Sequence, residues 1–347
     1  MVRLSDFLGG KGDKEKEESS AKPPRPPQSP TPPALSSPLA PPSLGPKSPP
    51  PSQPQVETVY SQLVEEVKRL FERARAAQPL DLAGAIRVIG QLPTTRVAWN
   101  ERVLPLIEQQ ADEEHTLYRH SVNVACLANQ LGRSLGYPAS ALQQVTLAGL
   151  LIDLGMVGEG EALAAQPRIL SKEELAVVAQ HPSRTLELLR DAQQISQKAL
   201  DAIARHHVPA GSASGPSRGP DIPPVEYATI LAVCDVYDAL THDRPHRQHM
   251  NPAQAMKMLI DGVEDQFDRR VVKALVDELS LYPRGSVVKL STGELGIVER
   301  ANAEAPLRPV VVIIRDAGGQ RLTIPRRVNL LEFPFIYLKE IADEADL

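Results

Sequence analysis

The sequence predicts a mainly α-helical protein, a helical bundle with a small N-terminal helical region and a C-terminal β-module. Between His115 and Tyr282 apolar residues recur every three or four positions and β-branched runs are short. After Pro283 the grain changes to short β-branched runs separated by glycine turns. Ahead of both, from Lys22 to Gln55, lies a tract of Pro, Ser and Lys that holds nearly half of the chain's 33 prolines. It has almost nothing to bury, as a disordered or polyproline-II spacer does.

These shifts divide the chain into residues 1–55, 56–113, 114–283 and 284–347. In the second stretch Val59, Leu63, Val67, Leu70 and Phe71 form one apolar stripe, with Glu65, Glu66, Lys68 and Arg69 on the other face. Two more helices are expected over Asp81–Gln91 and Val97–Gln110. The third stretch reads as helices over Leu117–Leu135, Ala139–Ile152, Lys172–Gln180, Ser183–Arg190, Ser196–His206, Pro224–Leu240, Pro252–Asp261 and Asp268–Leu279, punctuated by Pro and Gly. Strands are expected at Val287–Leu290, Leu295–Arg300, Pro309–Arg315 and Arg321–Pro325, with turns at Thr292-Gly293 and Gly318-Gly319.

Composition narrows the function classes. The charge is 38 − 43 = −5, which supplies no overall basic field for nucleic acid. Cys126 and Cys234 sit in apolar sequence and read as buried free thiols, which points to a reducing, cytoplasmic setting. The longest apolar run, Val145–Val157, is short for a membrane span and contains Asp153.

The helical stretch carries His120, Asp153, His181, His206, His207 and Asp235. Asp153 follows Leu150-Leu151-Ile152, and Asp235 follows Ile230-Leu231-Ala232-Val233-Cys234. A carboxylate in such a place costs several kcal/mol, on the order of the 2–7 for a buried polar group or more, unless it is paired or metal-bound. Imidazole and carboxylate donors without thiolates suit a hydrolytic Fe, Mn, Ni or Zn site better than a structural zinc.

The motifs that surround these residues resemble the HD-GYP family. They are Leu117-Tyr118-Arg119-His120-Ser121-Val122-Asn123-Val124, Asp153-Leu154-Gly155, Leu170-Ser171-x-Glu173-Glu174 before His181-Pro182, the His206-His207 doublet, Val233-x-Asp235-Val236-Tyr237-Asp238-Ala239-Leu240-Thr241-x-Asp243-Arg244-Pro245, and Phe267-Asp268-x-x-Val271. The resemblance implies an HD-domain-type bundle, bacterial signalling, and metal-dependent hydrolysis of cyclic di-GMP. It implies one metal position built from Asp153, His181, His206 and His207, with Asp153 as the catalytic aspartate shared between metals. A second position would use Asp153, Asp235, His120 and a histidine that is Ile152 here. Arg244 and Arg247 match basic positions that resemble phosphate contacts.

Three departures bear on activity. Ile152 offers no lone pair, Met156 stands where the family has a phosphate-contacting lysine, and the Gly-Tyr-Pro signature falls on Ser214-Gly215-Pro216 in a shortened loop. The expectation is one complete metal site, a depleted second one for which His115 is a substitute ligand, and weakened phosphodiesterase activity. The alternative is a catalytically inactive module that binds a cyclic dinucleotide or a signalling protein. A protein partner would engage the Pro-rich tract or the N-terminal helices, and the latter also suit homodimerisation.

Overall fold

The computed structural model describes residues 53–109, 116–208, 224–263, 266–302 and 305–347. The Pro-rich tract as far as Ser52, His115, and Ser214-Gly215-Pro216 lie outside the described residues. The helices are α1 (Gln53–Arg75), α2 (Ala83–Ile89), α3 (Arg96–Arg102), α4 (Leu104–Ile107), α5 (Thr116–Ser134), α6 (Ala139–Leu151), α7 (Glu159–Ala164), α8 (Lys172–Val178), α9 (His181–Leu188), α10 (Gln197–Arg205), α11 (Pro224–Thr241), α12 (Pro252–Asp261) and α13 (Arg269–Leu279). The strands are β1 (Val287–Leu290), β2 (Leu295–Arg300), β3 (Val310–Arg315), β4 (Arg321–Asn329) and β5 (Leu338–Ile341).

The apolar stripe of α1 is buried from Val59 to Ala74, while Glu65–Lys68 and Glu66–Arg69 pair on its outer face at 3.3 and 2.7 Å. Its partner is α5: Phe71 meets Tyr118 edge-on at 5.2 Å, and the Tyr60 hydroxyl donates to Asn123 Oδ1 at 2.5 Å. Helices α5 and α6 form the centre of the bundle, and their backbones cross closely because Gly149 faces Ala125. A Cβ at residue 149 would lie 2.9 Å from the Ala125 Cα. The stretch Ala139–Met156 is long and apolar enough for a membrane span, yet 67% of it is buried within the fold, as a core helix requires.

Five elements differ from expectation. The single helix expected over Val97–Gln110 is two, α3 and α4. The missing N–H of Pro105 withdraws the hydrogen bond that would carry α3 onward, and Val103 becomes its C-cap. Helix α7 was not expected, because Glu-Gly-Glu-Ala-Leu-Ala has no apolar period; it starts at Gly158 (φ 84°), whose N–H donates to Glu161 Oε2 at 2.9 Å. Helix α9 begins at His181 rather than Ser183, since Pro182 is suited to a first helical turn. Strand β4 runs past Pro325 to Asn329, which an edge strand tolerates, and β5 is an unforeseen half-exposed edge.

The strands form one antiparallel sheet in the order β4-β3-β2-β1-β5 around Val288, Leu290, Val298, Val311, Ile313, Val328 and Leu330. Asn251, at the start of α12, donates to the carbonyls of Val287 and Ala342 at 3.1 and 2.9 Å and so ties the sheet to the helices. Much of the module's arginine charge is used internally. Arg308 donates to the carbonyls of Leu330, Phe333, Pro334 and Ile336, Arg315 to those of Gly319 and Leu347, and Arg326 and Arg327 pair with Glu294 and Glu299.

Gly149→Ala is expected to lower stability by about 1–3 kcal/mol, the usual cost of overpacking. Urea unfolding checks it, and a midpoint equal to the parent's would contradict the close α5–α6 crossing.

Candidate metal centre

Asp153 leaves the end of α6 just before a single 3₁₀ turn, Leu154–Met156. That turn is pressed onto the start of α9. The Gly155 N–H donates to the buried Thr185 Oγ1 at 2.8 Å, and a Cβ on Gly155 would come within 2.1 Å of the His181 carbonyl oxygen. Only glycine permits this approach, which sets His181 beside Asp153. The Asp153 carboxylate then straddles two histidines, Oδ1 lying 3.5 Å from His181 Nε2 and Oδ2 3.5 Å from His120 Nε2.

Backbone carbonyls orient two of the rings. His181 Nδ1 donates to Val178 O at 2.8 Å and His206 Nδ1 to Ile203 O at 2.7 Å. Each Nε2 is therefore left as a lone pair, and the two lie 3.3 Å apart. Facing lone pairs repel unless a proton or a cation sits between them. Two Zn–N bonds of about 2.0–2.1 Å at a tetrahedral angle place their nitrogens about 3.3 Å apart, so the donors fit a metal. The His206-His207 doublet ends α10, where the tight turn Val208 N to Arg205 O (2.8 Å) brings both rings to one cleft. The ligand atoms of His181, His206 and His207 all lie within 4.8 Å of one another.

The other half of the centre is bound up in carboxylates. His120 Nε2 lies 3.0 Å from Asp235 Oδ1, and its Nδ1 donates to Asp238 Oδ2 at 2.7 Å. Asp235 also faces His207 Nδ1 at 4.0 Å. Sequence reasoning passed over Asp238 and His242 as site residues. The signal was present: Asp235, Asp238 and His242, spaced three and four apart, share one face of α11 and its end.

Burial and Arg244 push the His120 imidazole down in pKa, but its bonds to Asp235 and Asp238 outweigh them and lift it to about 10. Burial, joined by the His207 and His181 charges, pushes His206 down to about 3. His207 is also lowered, mainly by burial. Burial opposes ionisation of Asp235 and Asp238, yet the neighbouring histidines hold both below the usual carboxylate range.

The remaining expected residues are placed as follows. Ile152 is fully buried at 0% exposure, and Met156 lies against α7 with its sulfur close to Gly160. Arg244 reaches the centre, one guanidinium nitrogen being 3.2 Å from His120 Nδ1. Arg247 instead donates to the carbonyls of Ala239, Leu240 and Gln248, capping the end of α11. Paired backbone bonds to Arg244 (2.8 and 2.9 Å) make the two arginines the ends of one tight hairpin.

Residues 104–271 match the HD domain family, and residues 287–347 match the KOW domain associated with HD domains. The chain thus contains an HD domain over residues 104–271, and its motifs resemble those of the HD-GYP family. It is similar to a cyclic di-GMP phosphodiesterase of Pseudomonas aeruginosa, 30% identical over 262 residues that make up 76% of this chain and 63% of that protein. It is also similar to 3'3'-cGAMP-specific phosphodiesterase 3 of Vibrio cholerae, 25% identical over 64% of this chain and 49% of that one. The chain therefore spans less than two thirds of the length of either relative. Among solved structures, an HDG"Y"P protein from Bdellovibrio bacteriovorus aligns with a TM-score of 0.48 and 19% identity over 65% of this chain and 71% of that one.

The pKa shifts set opposite pH dependences for the metal-free chain. His206, depressed from 6.5 to about 3, favours folding above pH 6.5 and withdraws that support as pH falls toward 3. His120, raised from 6.5 to about 10, favours folding below pH 6.5 and loses the effect as pH rises through 10. His206→Gln is expected to flatten the fall in stability between pH 6 and 4 by about 1.4 kcal/mol per pH unit, one proton's worth. Urea titrations across that range check it, and an unchanged slope would contradict a neutral buried His206.

Proposed function

We propose that the protein is a metal-dependent phosphodiesterase acting on cyclic di-GMP or a closely related cyclic dinucleotide. In this reading a single metal is held by Asp153, His181, His206 and His207. The observation that carries it is the pair of facing Nε2 lone pairs of His181 and His206, 3.3 Å apart, with His207 and Asp153 alongside. A bound divalent ion, Fe, Mn, Ni or Zn, supplies Lewis acidity and lowers the pKa of water at neutral pH.

The chain's own residues do the rest. The Val178 and Ile203 carbonyls hold the two Nδ1 atoms, so that each Nε2 is presented without rearrangement. Asp153 is the catalytic aspartate, its two oxygens directed to the two halves of the centre. Arg244 offers a cation for a phosphate oxygen, and Arg247 holds the hairpin that carries it. Against rapid turnover stand Ile152, an apolar wall where a nitrogen donor would complete a second position, and Met156, which cannot offset charge on a phosphoryl oxygen. Losing one stabilising donor of this kind costs about 10²–10³ in rate.

Those same two buried residues favour a second reading, an inactive relative that binds a cyclic dinucleotide or a protein partner in signalling. Metal analysis and hydrolysis assays separate the two. One transition metal per chain is expected, with slow cyclic di-GMP hydrolysis that Asp153→Ala abolishes. A chain that stays metal-free on reconstitution would sink the enzyme reading. Activity that is absent from the parent and arises only in the Ile152→His, Met156→Lys double variant would establish the binding module instead.

A further inference from the structure

We propose that Asp238 is the positioning residue of the centre: its carboxylate, faced by His242 at 3.2 Å, holds the His120 ring so that Nε2 faces the metal cleft. The purpose of this arrangement rests on the metal-centre reading, but the arrangement itself does not.

Asp238 lies three residues beyond Asp235 on α11 and is 1% exposed. A carboxylate so deeply buried persists where its surroundings supply donors and charge. Oδ2 accepts from His120 Nδ1 at 2.7 Å. Oδ1 faces His242 Nδ1 at 3.2 Å and has no hydrogen bond of its own. His242 Nδ1 lies 2.9 Å from the Asp238 backbone carbonyl and its Nε2 lies 2.7 Å from the Ile107 carbonyl. The same carbonyl receives Asn123 Nδ2 at 3.5 Å, and Asn123 Oδ1 accepts from Tyr60. The His242 ring that faces the carboxylate is thus held in place by α4, whose Ile107 carbonyl is shared with Asn123 of α5, itself bonded to Tyr60 of α1.

An imidazole has only two nitrogens. With the Nδ1 proton committed to Asp238, Nε2 is the atom left to meet Asp235 at 3.0 Å and Asp153 at 3.5 Å. A flipped ring would put carbon in its place. Carboxylate–histidine pairs orient metal-ligating imidazoles in this way, fixing the tautomer and the ring plane. The Arg244 guanidinium lies 3.2 Å from the same His120 Nδ1, and its charge helps hold the Asp238 carboxyl ionised.

The test uses the metal-free full-length chain labelled with 15N at histidine, with His120 assigned through His120→Gln. The parent is expected to show a slowly exchanging His120 Nδ1 proton. Asp238→Ala should lose it, and Asp238→Asn, whose carboxamide oxygen still accepts, should restore it. A folded Asp238→Ala chain with the parental His120 signals overturns the proposal. Should Asp238→Ala not fold, Asp238→Asn and Asp238→Leu carry the test: faster exchange of the Nδ1 proton in the leucine variant than in the asparagine variant supports the proposal, and equal rates overturn it. A parent that binds no metal would sink the metal-centre reading and leave this spectrum standing, so the two failures are distinguishable.

Discussion

The contact between the Asp153-Leu154-Gly155 turn and the first turn of α9 is the constraint on which the centre depends. The turn stands at the end of α6, whose position is set by apolar packing and the close crossing at Gly149. Gly155 then lets the chain press against the His181 carbonyl, with Thr185 taking its N–H. Moving either backbone would pull Asp153 away from His181 on one side and from His120 on the other. A carboxylate that straddles two histidines at 3.5 Å each leaves little room for adjustment. The hydrophobic core and the polar site are therefore one mechanical system.

Within that frame, local acceptors sort the histidines into two kinds. Carbonyl oxygens, which take a proton but carry no full charge, leave His181 and His206 with lone pairs aimed at each other. Carboxylates hold His120 as a cation in the metal-free chain, with its pKa near 10. The His120 and His206 imidazoles, at similar depth, are thus shifted in opposite directions, because two carboxylates bonded to His120 compensate its burial while burial dominates at His206.

The positions that proved legible in advance were those whose chemistry conflicts with their surroundings. Asp153 and Asp235 stood out as carboxylates ending apolar runs, and the His206-His207 doublet as two donors at the end of an amphipathic helix. The structure brings all six expected ligand residues to one centre. Arg247 was less legible, because an arginine near a helix end reads the same whether it contacts phosphate or caps carbonyls. Its guanidinium is spent on Ala239, Leu240 and Gln248. Asp238 was hidden for the opposite reason: its partner His120 comes from a segment more than a hundred residues away, as does the Ile107 carbonyl that meets His242.

The sequence by itself determined the helical class, most element boundaries, the sheet module and the set of metal-type donors. Apolar period, proline and glycine placement, and buried carboxylates are properties of short stretches. Tertiary structure decided which ring nitrogens of His120, His181 and His206 meet an acceptor, that Asp238 meets His120 Nδ1, that Arg244 lies beside His120 while Arg247 bonds backbone carbonyls, and that β5 joins the sheet beside β1. Each of these depends on a hydrogen-bond acceptor or a packing partner supplied by a distant segment. No local pattern specifies such a partner, because the interaction exists only once α4, α5, α6, α9, α10 and α11 have packed together.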